Sequence, residues 1–443
     1  MSSHAMSITF TCQADALDIV VSVLARHKTD DYYAYERGEK WYMGLGNQAS
    51  LVVDSEARNM TIDTESGRIS RPIDGSSVSD IVRKFISENV KVGYKIFGQA
   101  GFNYAAHIRG QAFRPGNWPL LALLIPRIDI LIHQHSVTVK GIDGEEVKAL
   151  YQSIRLDTSG PCLVCPQDGF AIDTRDVKGE YSARVEKALS DISQGLYTKV
   201  IPSRALEIKH KINMPATLLA GRRFNTPART FSLNHGGFQA TGFSPELVMS
   251  LDNGRVVTEP LAGTRSLKGT KKEVRKLRDE LLNDPKEILE HVLSVKEATT
   301  ELQKLCLPDT IMVEDLMSIR SRGSVQHLGS RVAGTLSPGK DMWDAFEVLF
   351  PSITASGIPK HAAIEAIERL EDSPRELYSG AVFMIEDPKS FEAALVLRTV
   401  FQDQNRTWIQ AGAGVIAQSN PQRELTETCE KLASIAPYVV TDI

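Results

Sequence analysis

Apolar residues recur at helical spacing in Ala14–His27, Val78–Ser87, Glu180–Gln194, Pro285–Leu305 and Pro421–Ile435. Short apolar or alternating runs predict strands at Thr9–Thr11, Trp41–Leu45, Ser50–Val53, Tyr94–Phe97, Leu120–Ile125 and Ser136–Lys140 in the first half. In the second half they fall at Thr198–Ile201, Val256–Thr258, Ala381–Ile385, Ala393–Phe401 and Thr407–Ala411. Strands come in runs and helices are grouped, so the pattern predicts an α+β fold with large, mainly antiparallel sheets flanked by helices. A strictly alternating, Rossmann-type parallel sheet does not fit it. From about Ser153 to Glu180 the chain is polar, weakly periodic and broken by Gly and Pro. That stretch predicts a connection between residues 1–155, which contribute strands and helices to the fold, and residues 175–443. The two halves are expected to interleave in one large domain.

With 443 residues, 42% hydrophobic and 24% charged, the chain can bury a large core and is neither disordered nor low-complexity. Fifty-one basic and 55 acidic residues give a net charge of -4, which does not mark a nucleic-acid binder. The basic run Lys268–Arg278 is more simply a solvated helix face. The longest apolar stretch, Trp118–Ile125, is far short of the roughly 20 residues that span a bilayer. The opening MSSHAMS lacks the order of a signal peptide, and Met6 can serve as the natural start behind a cloning scar. A soluble, cytoplasmic protein is expected, with no membrane and no nucleic-acid partner. Five cysteines agree: Cys12, Cys306 and Cys429 are isolated, and Cys162 with Cys165 has no further zinc ligands at a readable spacing.

Chemistry concentrates in the second half. In DPKEILEH, Asp284 is a natural N-cap and Pro285 a first-turn proline, so Glu287 and Glu290 share a helix face. In SNPQRELTETCEK, Asn420 and Pro421 start another helix, and Glu424 and Glu427 repeat the spacing. Acids on two helix faces repel unless they are solvated or hold a cation, and an all-oxygen set suits Mg²⁺. Each pair alone reads more simply as a solvated or capping helix surface. The glycines of Ala411–Gly414, Gly412 and Gly414, let a backbone approach a ligand after a strand. Tyr378 leads into one apolar run, and Arg398 lies inside another, where its charge needs a buried acid or a substrate carboxylate. Lys199, also in an apolar run, is either a strand-edge lysine or a general base. Glu246 follows a Ser-Pro turn, as a general acid in a cleft or a capped turn would. His327 alone reads as a hydrogen-bonded core histidine.

Taken in order, GLYTKVIPSR, GFSPELVMS, TEPLAGTR, DPKEILEH, RGSVQHLGS, LFPSITASGIPK, RELYSGAV, ALVLRTV, IQAGAGVIAQS and RELTETCEKL resemble the chorismate-utilising enzymes. That family includes anthranilate synthase large subunits and aminodeoxychorismate, isochorismate and salicylate synthases. The resemblance runs from about Gln194 to Ile435. YAYERGEKWYMGLG and GYKIFGQAGFNYAAHIRG extend it to nearly the whole chain and are most similar to the salicylate synthases of siderophore pathways.

The resemblance implies the family fold and Mg²⁺ held by Glu290 and Glu427, with Glu287 and Glu424 close by. It implies that Arg398, Tyr378 and the Gly412–Gly414 backbone bind the enolpyruvyl carboxylate, with Lys431 balancing the acids. Lys199 stands where ammonia-using members carry glutamine, which implies water as nucleophile and Lys199 as its base. Glu246 would protonate the departing hydroxyl, and His327 and Thr264 would shape the pocket for pyruvate elimination. Ala262 stands where aminodeoxychorismate synthases carry lysine, and AYERGEKW replaces the tryptophan-sensing motif of anthranilate synthases. No glutamine amidotransferase subunit is therefore expected; the chain would act as a monomer or homodimer. An isochorismate synthase that stops halfway is the alternative, and a non-catalytic chorismate sensor a remote one.

Overall fold

The computed structural model describes residues 5–90, 93–157, 172–176 and 179–442. The Cys162/Cys165 pair and most of the expected connection lie outside those residues. Helices and antiparallel strands are mixed as the pattern predicts, and every strand pair is antiparallel.

Two long neighbours, Lys40–Val53 and Leu121–His133, form the spine. The expected strands Trp41–Leu45 and Ser50–Val53 are parts of the first of these. Gly46, at φ 66, and a register shift between Asn47 and Ala49 supply the local break that the apolar pattern registers. Two arms leave the spine. One passes through Tyr32–Arg37, Arg229–His235, Phe238–Ser244, Thr399–Gln402, Thr407–Gly412 and Ser203–Glu207. The other passes through Ile96–Ala100, Ala381–Asp387, Ser390–Leu395, Leu247–Asp252, Arg255–Thr258 and Val325–Thr335. Strands Leu261–Ser266 and Met312–Arg322 flank the last of these. Each arm therefore contains strands from both halves of the chain.

The chain changes arms at two adjacent places. Phe238–Ser244 continues through Pro245 and Glu246 into Leu247–Asp252, and Ser390–Leu395 continues through Val396–Arg398 into Thr399–Gln402. The expected single strand Ala393–Phe401 is thus split. Arg398 sits at φ 51, where a non-glycine residue is strained, and this turns the chain between arms. Backbone bonds tie the two crossings together, Leu395 donating to the Glu246 carbonyl at 3.2 Å and Phe243 to that of Arg398 at 3.2 Å.

Two helices close the site. Pro285–Gln303 buries Val295, Ala298 and Leu302 in a core shared with Val256, Val332 and Phe346. Full burial of a valine or leucine side chain is worth about 1.5–3 kcal/mol. Pro421–Leu432 anchors Leu432 beside Ile409 and Ala411.

Candidate active site

Between the crossings and these helices lies a cavity lined by Glu246, Thr264, Glu290, His327, Tyr378, Arg398, Gly412, Gly414, Glu427 and Lys431. Of the residues singled out in the sequence, Lys199, Glu287 and Glu424 do not line it. They stand behind its wall, each tied to the same charge network.

Lys199 occupies a two-residue strand, Lys199–Val200, paired with Gly357–Ile358. The strands can approach this closely because residue 357 is glycine: at its φ of 143, a Cβ would lie 2.1 Å from the Lys199 carbonyl oxygen. The Lys199 side chain is buried, with Nζ 3.0 Å from Glu290 Oε1 and donating to Ser294 Oγ at 3.0 Å.

Glu246, only 1% exposed, sits on the first crossing. Ser352 Oγ donates to its Oε1 at 2.8 Å, while Oε2 has no hydrogen-bond partner. Burial raises its pKa to about 8, with the hydroxyls of Ser352 and Thr354 pulling the other way. Glu246 is therefore a neutral carboxylic acid at pH 7.

Arg398 sits on the second crossing. Among the described residues its guanidinium makes no ion pair; it donates to the Arg322 carbonyl at 3.0 Å and approaches His327 Nε2 at 2.5 Å. Burial, and then the nearby Arg322, draw its pKa down to about 9, which leaves it cationic at neutral pH. His327 Nδ1 lies 2.9 Å from the Gly263 carbonyl, so the network assigns its proton to Nδ1 and makes Nε2 the acceptor for Arg398. Burial and the Arg398 charge hold the ring's pKa well below the usual range. The ring is neutral and orients the guanidinium. Thr264 Oγ1 lies 3.2 Å from His327 Nδ1 and donates to Glu427 Oε1 at 3.3 Å.

The four acids share a local grammar. Asp284 accepts from the backbone N–H groups of Lys286 and Glu287, Asn420 accepts from those of Gln422 and Arg423, and a proline follows each cap. This starts both helices so that Glu287, Glu290, Glu424 and Glu427 are buried together. Four cations attend them. Arg265 lies 3.0 Å from Glu287 Oε1, Lys199 touches Glu290, and Lys431 lies 2.8 Å from Glu427 Oε1 and donates to the Gly412 carbonyl at 2.8 Å. Lys286 reaches three acids: Glu290 Oε2 at 3.1 Å, Glu424 Oε1 at 3.3 Å and Glu287 Oε1 at 3.7 Å. Burial alone would raise Glu427, but Lys431 and Lys286 outweigh it and bring its pKa to about 2. Burial and the Glu427 charge push Glu424 up to about 7.

The cluster remains short of donors. Glu287 Oε2 and both Glu424 oxygens are buried without a hydrogen bond, since the Lys286 contact to Glu424 is close but poorly directed. Among the described residues no three His, Cys, Asp or Glu side chains stand as a finished metal cage. Buried orphan carboxylate oxygens with no nitrogen or sulfur ligand nevertheless fit a hard cation that keeps some of its waters. Gly414 belongs to this arrangement, because a Cβ there would lie 2.2 Å from Glu290 Oε1.

Sequence reasoning gave no role to Lys286, Ser352 or Ser294. Lys286 lies inside DPKEILEH, four residues before Glu290, and reads as an ordinary helix-surface pair. Nothing local marks Ser352 or Ser294.

A family profile described as chorismate binding enzyme matches residues 30–437. The chain is 37% identical to the salicylate synthase of Mycolicibacterium paratuberculosis, over 99% of this chain and 97% of that protein. It is 28% identical to anthranilate synthase component 1 of Acetivibrio thermocellus, over 90% of this chain and 87% of that one. The solved menaquinone-specific isochorismate synthase of Escherichia coli superposes with a TM-score of 0.73 at 22% identity, covering 98% of this chain and 94% of that one. Anthranilate synthase component I of Streptococcus pneumoniae gives 0.74 at 22% identity, covering 90% and 92%. At that identity the two structural likenesses speak for the fold alone.

Proposed function

The chain belongs to the chorismate-binding enzymes, and from that premise we propose that it converts chorismate, by way of isochorismate, to salicylate and pyruvate. The observation that carries this reading is the meeting, in one cavity, of a carboxylic acid kept neutral, Glu246, and a buried cation that makes no ion pair among the described residues, Arg398. A dianionic substrate that must lose a hydroxyl needs both. End-to-end likeness to a salicylate synthase selects the reaction among the family's chemistries.

In this reading Arg398 and Tyr378, with the Gly412–Gly414 backbone, hold the enolpyruvyl carboxylate. Mg²⁺ would be held by Glu290 and Glu427, with Glu287 and Glu424 behind them, and would supply positive charge for the ring carboxylate. Lys431 balances Glu427 and fixes the Gly412 carbonyl. Lys199, in its neutral form and reached through the cavity wall beside Glu290, takes a proton from a water whose oxygen bonds to ring carbon 2. The ring double bond shifts, and the carbon 4 hydroxyl leaves as water with the proton from Glu246 Oε2. The product is isochorismate.

The hydrogen on carbon 2 then passes to the enolpyruvyl methylene as the carbon 3–oxygen bond breaks, giving salicylate and pyruvate. This step needs a held conformation rather than an acid or base. Thr264 and His327, one bonded to Glu427 and the other to Arg398, hold that conformation.

Residues 175–443 carry this chemistry, and residues 1–155 complete the sheets that place it. Water as the nucleophile removes any need for a glutamine amidotransferase subunit. We place the enzyme in the cytoplasm, as a monomer or homodimer, supplying salicylate for siderophore assembly. Among the described residues no helix is long and apolar enough to cross a membrane.

Product analysis after incubation with chorismate and Mg²⁺, beside a chelator control, tests the reading. Salicylate and pyruvate in equal amounts are expected. Isochorismate alone would transfer the function to an isochorismate synthase, and no turnover would overturn both.

A further inference from the structure

Glu246 is a buried acid with two unlike oxygens. Oε1 accepts a hydrogen bond from Ser352 Oγ at 2.8 Å; Oε2, equally buried, makes no hydrogen bond among the described residues, although the Thr354 hydroxyl stands near the carboxyl. Glu246 and Thr354 both line the cavity. Ser352 is not free to turn. Its oxygen accepts from the Thr354 backbone N–H at 3.3 Å, so its single proton is directed at Glu246. Its own carbonyl accepts from Ser356 Oγ at 2.9 Å, which holds the turn from the other side.

We propose that Ser352 is the positioning residue of the general acid: its hydroxyl occupies Oε1 and so leaves the transferable proton on Oε2, the oxygen open to substrate. This rests on the proposed role of Glu246 and adds the residue that decides which of its oxygens donates. Without Ser352 the carboxyl would keep only the weaker influence of the Thr354 hydroxyl and could carry its proton on either oxygen, and only one placement is productive. The competing role is purely structural, since Ser352 also caps the short 3-10 turn Ile353–Ala355.

The two roles differ in what they do to the titration of Glu246. A hydroxyl donating to Oε1 favours the carboxylate, so its removal raises the Glu246 pKa. Loss of the turn cap can reach Glu246 only through Thr354, whose hydroxyl also lowers its pKa, so Thr354→Val, which keeps the cap, measures that contribution separately. The other charges acting on Glu246 are Glu259, which raises its pKa, and Lys199, which lowers it; Arg322 and Arg398 also feel its charge. None of these is changed by a substitution at Ser352.

The experiment compares the wild type with Ser352→Ala, Ser352→Thr and Glu246→Gln. The first readout is the pH profile of salicylate formation. The second is an infrared titration of the protonated Glu246 carbonyl band, identified as the band missing from Glu246→Gln. Ser352→Ala is expected to lower kcat about tenfold with little change in KM, and to move both the alkaline limb and the infrared midpoint up by about one pH unit. Ser352→Thr should restore both. If Ser352→Ala does not fold, Ser352→Cys replaces it, its weak thiol donor giving a smaller shift in the same direction. A midpoint and limb that stay in place while kcat falls equally at every pH would reduce Ser352 to a turn cap and overturn the proposal. Undiminished turnover by Glu246→Gln would instead remove Glu246 as the acid, which is failure of the underlying reading rather than of Ser352 alone.

Discussion

Glu246 and Glu427 line the same cavity, are the same residue type and are both buried, yet their pKa values move apart, to about 8 and about 2. Burial pushes both upward. The difference is company: Glu427 has Lys431 at 2.8 Å, while Glu246 has the hydroxyls of Ser352 and Thr354 and, among the described residues, no ion pair. One carboxyl is thereby kept protonated and the other ionised at neutral pH. Burial sets how strongly a neighbour counts, and the neighbour then decides the sign.

The comparison can be broken from either side. The largest effect is expected from Glu246→Gln, which should cut salicylate formation by about 10³-fold while chorismate still binds in a calorimetric titration. Lys199→Gln should fall nearly as far; salicylate output equal to wild type would end its assignment as the base. On the anionic side, Glu427→Ala should abolish Mg²⁺ binding measured by calorimetry together with turnover. Wild-type turnover that persists in excess chelator would sink the metal claim.

Arg398→Lys should raise KM for chorismate by about 10- to 100-fold and change kcat less, because a point charge replaces a planar fork.

The smallest effect sharpens the comparison through stability. Glu246 keeps its proton in the folded state up to about pH 8, whereas the unfolded chain releases it near 4.5, so the native state loses stability as pH rises through that window. Glu427 works in the opposite direction: its stabilisation is present above 4.5 and is lost as pH falls toward 2. Urea unfolding should therefore show Glu246→Gln gaining on the order of 2 kcal/mol relative to wild type at pH 8, and little at pH 5. An equal gain at both pH values would mean that Glu246 is not buried as a neutral acid.

What the sequence made legible follows the reach of each interaction. The cap, proline and paired acids of DPKEILEH and SNPQRELTETCEK span a few residues, so the helix starts and the shared Glu faces could be read directly. Tyr32–Arg37 carries no alternating strand signal of its own: its residues YYAYE are buried in succession between two neighbouring strands, which erases the alternation of a half-exposed one. The break at Val396–Arg398 was hidden for a related reason. An apolar run carries no mark that its middle must leave one arm for another. Ser352 and Lys286 were silent because their roles depend on partners, Glu246 and Glu424, more than 100 residues away in the chain.

Placing Glu246 and Arg398 on hydrogen-bonded crossings also limits how such a site can change. An enzyme whose reactive groups hang on loops can be retuned by lengthening a loop. Here an inserted residue would break the bonds from Leu395 to the Glu246 carbonyl and from Phe243 to that of Arg398, and would turn the following side chains to the other face of their arm. The spacing between Glu246 and Arg398 is consequently a fixed gauge. New chemistry in this scaffold should come from exchanging side chains at set positions, and an engineer would do better to search substitutions than insertions.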